Sequence, residues 1–195
     1  MDGVLCRYRI ERRLELLARF TGQRPEAVYA AIWQSGFEDA GERGEWSADE
    51  YLRLFGERLG TSLDVDLWIA ARKAAMEPDE AVLEIARKLR AKLPVGVFTN
   101  NPSLLKRHIA EVFPAVLEVF GDRAIFSSDL GAVKPDQEAF HRLAHRLGVR
   151  PETLLFFDDD ATYVAGARAA GLTAYRFEGA EELVSRLTEV GFDVA

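Results

Sequence analysis

Apolar and polar positions along this chain fall into two kinds of text. From Tyr8 to Met76 they follow a helical period. Ile10, Leu14 and Leu17 share one face, and Gly22 then offers a stop. The run PEAVYAAIW opens on Pro25, a residue suited to a first helical turn. Ser47 and Glu50 have the spacing of a capping box, in which a hydroxyl and a carboxylate satisfy the free N–H groups of EYLRLFGERL. Gly60 ends that helix, and DVDLWIAARKAAM predicts another. No strand is expected in this block.

After Pro78 the text changes. The helix DEAVLEIARKLRAK leads into the short apolar run PVGVFTNN, which ends in polar residues. The helix PSLLKRHIAEVF, the strand AIFSSD and the helix QEAFHRLAHRLG follow. Then come LLFFDDD, the helix VAGARAAG, the strand TAYRF and a last helix, AEELVSRLTEV. Strands that are apolar throughout and alternate with helices predict βαβ units. The expected fold is α/β: a doubly wound parallel, Rossmann-like core carrying an inserted all-helical segment. Residues 1–8 and 77–195 would form the core, and residues 9–76 the insertion.

Composition narrows the partners. The chain has 195 residues, enough for one buried core with a modest insertion. Its net charge is −7 without a block of like charges, which argues against a nucleic-acid surface. Cys6 is the only cysteine, so no internal disulfide can form, which fits a reducing cytosol. No stretch has the length of a membrane span, and the N-terminus lacks the basic and apolar regions of a signal peptide. These features predict a cytoplasmic protein, monomeric or weakly dimeric, without nucleic-acid or membrane partners.

Ligands of open α/β sheets bind beyond the carboxyl ends of the strands. Here those ends carry different polar groups. Thr99 and Asn100 end one strand, Lys134 follows the next, and Asp158, Asp159 and Asp160 end LLFF. Asp2 stands at the head of the chain, before Gly3. Each has an ordinary reading: a turn, a helix cap, a solvated lysine, or carboxylates favouring a helix dipole. Three adjacent carboxylates nevertheless repel one another unless a cation is near, and an all-oxygen ligand set suits Mg²⁺.

Taken in order, these groups resemble the motifs of the haloacid dehalogenase-like hydrolases. The first motif of that family reads Asp-x-Asp-Gly-Val-Leu, and MDGVL is similar to it without its first residue. VFTNN resembles the second motif, LGAVKP the third, and FFDDDATYVAGARAAG the fourth. The helical block resembles the family's helical cap. ERGEWSADEY, with SSDLGAVKP and FFDDD, is most similar to the small-sugar-phosphate phosphatases, such as the α-glucose-1-phosphate phosphatases. Receiver domains use similar groups, but their acids precede the Thr and Lys.

The resemblance implies Mg²⁺-dependent hydrolysis of a small phosphorylated metabolite through an aspartyl-phosphate. Asp2 would act as acid and base and meet the metal through its carbonyl. Thr99, with the N–H of Asn100, would hold phosphoryl oxygens, and Lys134 would neutralise them. Asp158 and Asp159 would serve the metal. The attacking Asp and its strand would precede Met1, which would then be an internal residue. Two other readings stay open: a catalytically silent phosphate- or metal-binding protein, and a 2-haloacid dehalogenase. In the cap, Arg43 and Trp46 occupy a Gly-flanked loop placed to meet substrate, whereas Trp33, Phe37, Tyr51, Phe55 and Trp68 are expected in its core. His108, His141 and His145 form no ligand set.

Overall fold

The computed structural model describes residues 1–192. A turn at Asp2–Leu5 leads into strand β1 (Cys6–Tyr8) and the helices α1 (Ile10–Thr21), α2 (Pro25–Tyr29), α3 (Phe37–Glu42), α4 (Ala48–Arg58) and α5 (Val65–Ala74). The chain returns on β2 (Met76–Pro78), antiparallel to β1, with Cys6 opposite Pro78. Then follow α6 (Glu80–Arg90), β3 (Val97–Thr99), α7 (Ser103–Arg107), α8 (Ile109–Val112) and α9 (Ala115–Phe120). The remainder is β4 (Ala124–Phe126), α10 (Ser127–Leu130), α11 (Gln137–Leu147), β5 (Leu155–Asp158), α12 (Ala161–Ala169), β6 (Thr173–Arg176) and α13 (Ala180–Glu189).

Local chemistry explains most boundaries. Gly22 closes α1 at φ 69°, a left-handed conformation that costs glycine nothing. Ser47 and Glu50 form the reciprocal capping box at the start of α4. Asp79 and Asp160 cap α6 and α12, accepting from Val82 N at 3.1 Å and Thr162 N at 2.6 Å. The expected helix over residues 102–113 is broken at His108, and Met76 belongs to a strand rather than to the end of a helix. Strands of three residues are too short to show alternation, and the partner of Cys6 lies some seventy residues on. That ribbon ties the two ends of the helical block together.

The helical block is held by aromatic rings. Phe37, Tyr51, Phe55 and Trp68 are fully buried, and Trp33 is partly so. Arg13 is also buried, its guanidinium lying over Trp33 and Trp68 and pairing with Glu38 at 3.8 Å. Tyr51 donates to the same Glu38 at 2.5 Å. A buried cation here is thus matched by a carboxylate and by ring faces.

The parallel strands form two separate pairs rather than one continuous sheet. β3 pairs with β4, and β5 pairs with β6. Each pair is covered by helices, as apolar parallel strands require. Between β3 and β5 lies a cavity of about 440 Å³, walled by Val97 and Phe98 on one side and Leu155 and Phe157 on the other. Met1, Val4 and Leu5 also line this cavity.

Candidate active site

The carboxyl ends of β3 and β5 meet on one ammonium. Lys134 Nζ lies 2.6 Å from Asp158 Oδ2 and 3.4 Å from the Phe98 carbonyl. It is 5% exposed, and its nearest ring centroid, that of Tyr163, is 4.8 Å away. The Asn100 side chain clasps the Lys134 backbone, accepting from its N–H at 3.1 Å and donating to its carbonyl at 3.0 Å. The peptide between Lys134 and Pro135 is cis. Helix α12 seats this loop closely: a Cβ on Gly166 would stand 2.1 Å from the Pro135 carbonyl oxygen.

Asp158 ends β5, with its second oxygen accepting from Asp160 N at 3.1 Å. The Asp159 carboxylate stands over Gly3, where a Cβ would lie 2.2 Å from Oδ2. Partial burial and the neighbouring Asp158 raise its affinity for a proton. Among the described residues no Lys or Arg pairs with it. Asp160 turns away to cap its helix. The sequence places the three acids side by side; the fold separates them into an ion-paired one, a half-buried one over Gly3 and a helix cap.

Asp2 reaches this centre from the head of the chain. Arg72 of α5 donates to Asp2 Oδ2 at 2.5 Å, and the buried Cys6 thiol lies 3.6 Å from Oδ1. Burial works to raise the Asp2 carboxyl, yet Arg72, by its charge and its hydrogen bond, holds it below the usual carboxylate range. Thr99 is 3% exposed and accepts from Asn101 Nδ2 at 2.7 Å. Asn101 Oδ1 in turn accepts from Arg72 at 3.0 Å.

Arg72, Asn101 and Tyr163 escaped the sequence reading. No local pattern marks Arg72: it sits in an amphipathic helix among other cations, and its partners are 70 and 29 residues away. Tyr163 follows Asp158 by five residues, one turn into α12. Burial, then Glu42, Asp160 and Asp158, push its phenol up to about 12, so it remains a donor at neutral pH.

The loop after α3 touches the same centre. Ser127 Oγ donates to the Glu42 carbonyl at 2.7 Å and accepts from Asn101 N at 3.1 Å. Ser103 Oγ donates to the Trp46 carbonyl at 3.2 Å. Gly44, at φ +75°, lies so close to the Ser128 carbonyl that a Cβ would stand 2.4 Å from it. Two loop residues named from the sequence stand in this segment. Arg43 is exposed, and the Trp46 ring stacks on Phe37 at 4.8 Å. Burial, with Glu38 and Asp39 nearby, pushes the Glu42 carboxyl up to about 8.

A hard cation fits this donor set. Mg²⁺ keeps several waters and needs only one or two protein carboxylates. Asp158 and Asp159 offer those two carboxylates, and among the described residues no group of three or more acidic, His or Cys side chains is gathered to hold a metal ion. No helix among them is long and apolar enough to cross a membrane.

Comparison with known proteins bears on the family and the fold. The chain is similar over residues 1–171 to the haloacid dehalogenase-like hydrolase family. It is 46% identical over 93 residues to phosphatase MT3486 of Mycobacterium tuberculosis, a match spanning 48% of this chain and 42% of that protein. It is 25% identical over 165 residues to D-ribitol-5-phosphate phosphatase of Bacteroides thetaiotaomicron, covering 80% and 79% of the two chains. In fold it matches a HAD family enzyme of Bacteroides thetaiotaomicron, solved with magnesium and inorganic phosphate, with TM-score 0.76, 21% identity and 90% of each chain covered. The L-2-haloacid dehalogenase of Xanthobacter autotrophicus also matches in fold, with TM-score 0.63, 19% identity, and 100% and 81% covered. The chain belongs to the haloacid dehalogenase-like hydrolase family, and its curated relatives are phosphatases.

Proposed function

We propose that this protein is a Mg²⁺-dependent phosphomonoesterase acting on a small phosphorylated sugar or polyol. The observation that carries this reading is the convergence of Lys134, Asp158, Thr99 and Asn100 at the carboxyl ends of β3 and β5. Phosphoryl transfer needs positioning and charge neutralisation more than covalent machinery from the enzyme. Lys134 is a buried point cation, Thr99 a buried hydroxyl, and Asp158 with Asp159 a seat for the metal. Bound Mg²⁺ would withdraw charge from the phosphoryl oxygens. The ribitol-5-phosphate phosphatase relative favours a polyol or sugar ester over the α-glucose-1-phosphate class.

In this reading a carboxylate oxygen attacks phosphorus and the ester P–O bond breaks. The leaving alkoxide takes a proton from Asp2, and Asp2 later removes one from the water that cleaves the aspartyl-phosphate. The attacking carboxylate is assigned to the end of a strand lying between β3 and β5 and running into Asp2. The apolar cavity there, with Met1 on its wall, supports that placement. Residues 9–76 act as the cap, with Gly44 and Glu42 at its seam with the core.

Paired assays of p-nitrophenyl phosphate hydrolysis test this. One sample is the present chain; the other carries the reading frame upstream of Met1. Turnover by the longer chain, abolished by EDTA and strongest on pentitol and sugar phosphates, is the expected result. If both chains are folded and silent with Mg²⁺, and the upstream frame encodes no Asp, the phosphatase reading fails. The silent binding protein then replaces it.

A further inference from the structure

Two side chains from separate parts of the chain, Arg72 and Asn101, form a one-way hydrogen-bond relay to Thr99. Arg72, on α5, is 3% exposed, and its Nη2 lies 2.5 Å from Asp2 Oδ2 and 3.0 Å from Asn101 Oδ1. The guanidinium plane is further held over Tyr8, 4.4 Å from the ring centroid. Asn101 is 4% exposed, and its Nδ2 lies 2.7 Å from Thr99 Oγ1.

The direction of every bond in this relay follows from the groups themselves. A guanidinium can only donate, so the Asn101 amide must turn its oxygen toward Arg72. Its nitrogen then faces Thr99 and can only donate to the hydroxyl oxygen. One lone pair of Thr99 is thereby occupied, and its own hydrogen cannot point back along the same line. We propose that Arg72 and Asn101 are positioning residues that keep the Thr99 hydroxyl as a donor aimed at a phosphoryl oxygen. The inference rests on the assignment of Thr99 to phosphate binding.

The relay also couples the helical block to the phosphate seat. Arg72 belongs to α5, whereas Asn101 and Thr99 belong to the end of β3. A movement of α5 that withdrew Arg72 would release the Asn101 amide to rotate. The Thr99 hydroxyl would then be free to donate to Asn101 instead of to the ligand. Docking of the block and readiness of the phosphate donor are thus one event.

The test is affinity for inorganic phosphate in Mg²⁺, measured calorimetrically on the whole chain. Asn101→Ala leaves the Arg72–Asp2 pair in place, and Thr99→Val removes the hydroxyl with little change of shape. We expect Asn101→Ala to weaken phosphate binding about tenfold, the scale of one hydrogen bond to a charged group. In the Thr99→Val background the same substitution should change affinity less than twofold. Arg72→Met tests the other link: its loss in the wild-type chain must exceed its loss in Asn101→Ala. A melting curve on each variant establishes that it is folded. If folded variants lose affinity additively, with no coupling to Thr99, Arg72 and Asn101 are merely structural and the proposal is overturned. If the wild-type chain binds no phosphate, the assignment of Thr99 falls first and takes this inference with it.

Discussion

Lys134 Nζ and Asp158 Oδ2 lie 2.6 Å apart, both side chains almost wholly withdrawn from water. Breaking one half of such a pair leaves the other charge buried, which costs about 3–5 kcal/mol. Lys134→Met should therefore lower unfolding stability in urea by about that amount, with part of the loss recovered in Mg²⁺ as the cation takes the place of the ammonium. Replacing both partners, as Lys134→Met with Asp158→Leu, should restore most of the stability while abolishing any phosphate binding. A double variant no more stable than the single one would refute this account.

Glu42 makes stability depend on pH with a definite sign. Its carboxyl is pushed up to about 8 by burial and by Glu38 and Asp39, with Asp2 also raising it and Arg72 acting in the opposite direction. The native chain thus holds a proton that the unfolded chain has already released. This contribution to stability falls as pH rises from the ordinary carboxylate range to about 8. Glu42→Gln removes the term, so its melting temperature relative to the parent should climb between pH 5 and pH 8. A constant difference across that interval would show that Glu42 does not titrate there.

The Cys6 thiol should be inert. It is 1% exposed, and burial together with the Asp2 carboxylate pushes it up to about 12. Only the thiolate attacks disulfide reagents. Titration at pH 8 should find no reactive thiol in the native protein and one after denaturation. Rapid native labelling would mean that the segment around Asp2 opens readily.

Gly166 is required for close approach, not for backbone freedom. A methyl group there would collide with the Pro135 carbonyl, which belongs to the loop that presents Lys134. Backbone cannot yield as a flexible side-chain tip does, so overpacking of this kind typically costs about 1–3 kcal/mol. Gly166→Ala should lower the melting temperature and weaken phosphate binding together, because the displaced loop carries the ammonium. The same substitution at the open Gly148, with nothing within 4 Å, tests backbone strain alone. It should leave phosphate binding unchanged.

Much of this molecule can be read from local text, because helices and caps are decided within a few residues. Ser47 with Glu50, Gly22, and the alternation of apolar runs with amphipathic helices have their causes close at hand. So does the order Thr99, Lys134, Asp158, since each group follows directly on its strand. The short ribbon of β1 and β2 was not legible, because three-residue strands carry no period and pair across some seventy residues. The role of the three acids was only half legible, for Asp160 serves α12 and only the turn geometry shows it.

By itself, then, the chain's text determined the α/β class, the helical insertion and the polar groups at the strand ends. Those features rest on periodicity, propensity and adjacency, which are local. Only the tertiary structure decided that Arg72 reaches Asp2 and Asn101, that Asn101 donates to Thr99, and that Trp46 stacks on Phe37. It also decided that the parallel strands stand as two pairs about an apolar cavity. These are contacts between residues far apart in the chain, chosen by packing and by the need to match each buried charge, and no local pattern encodes them.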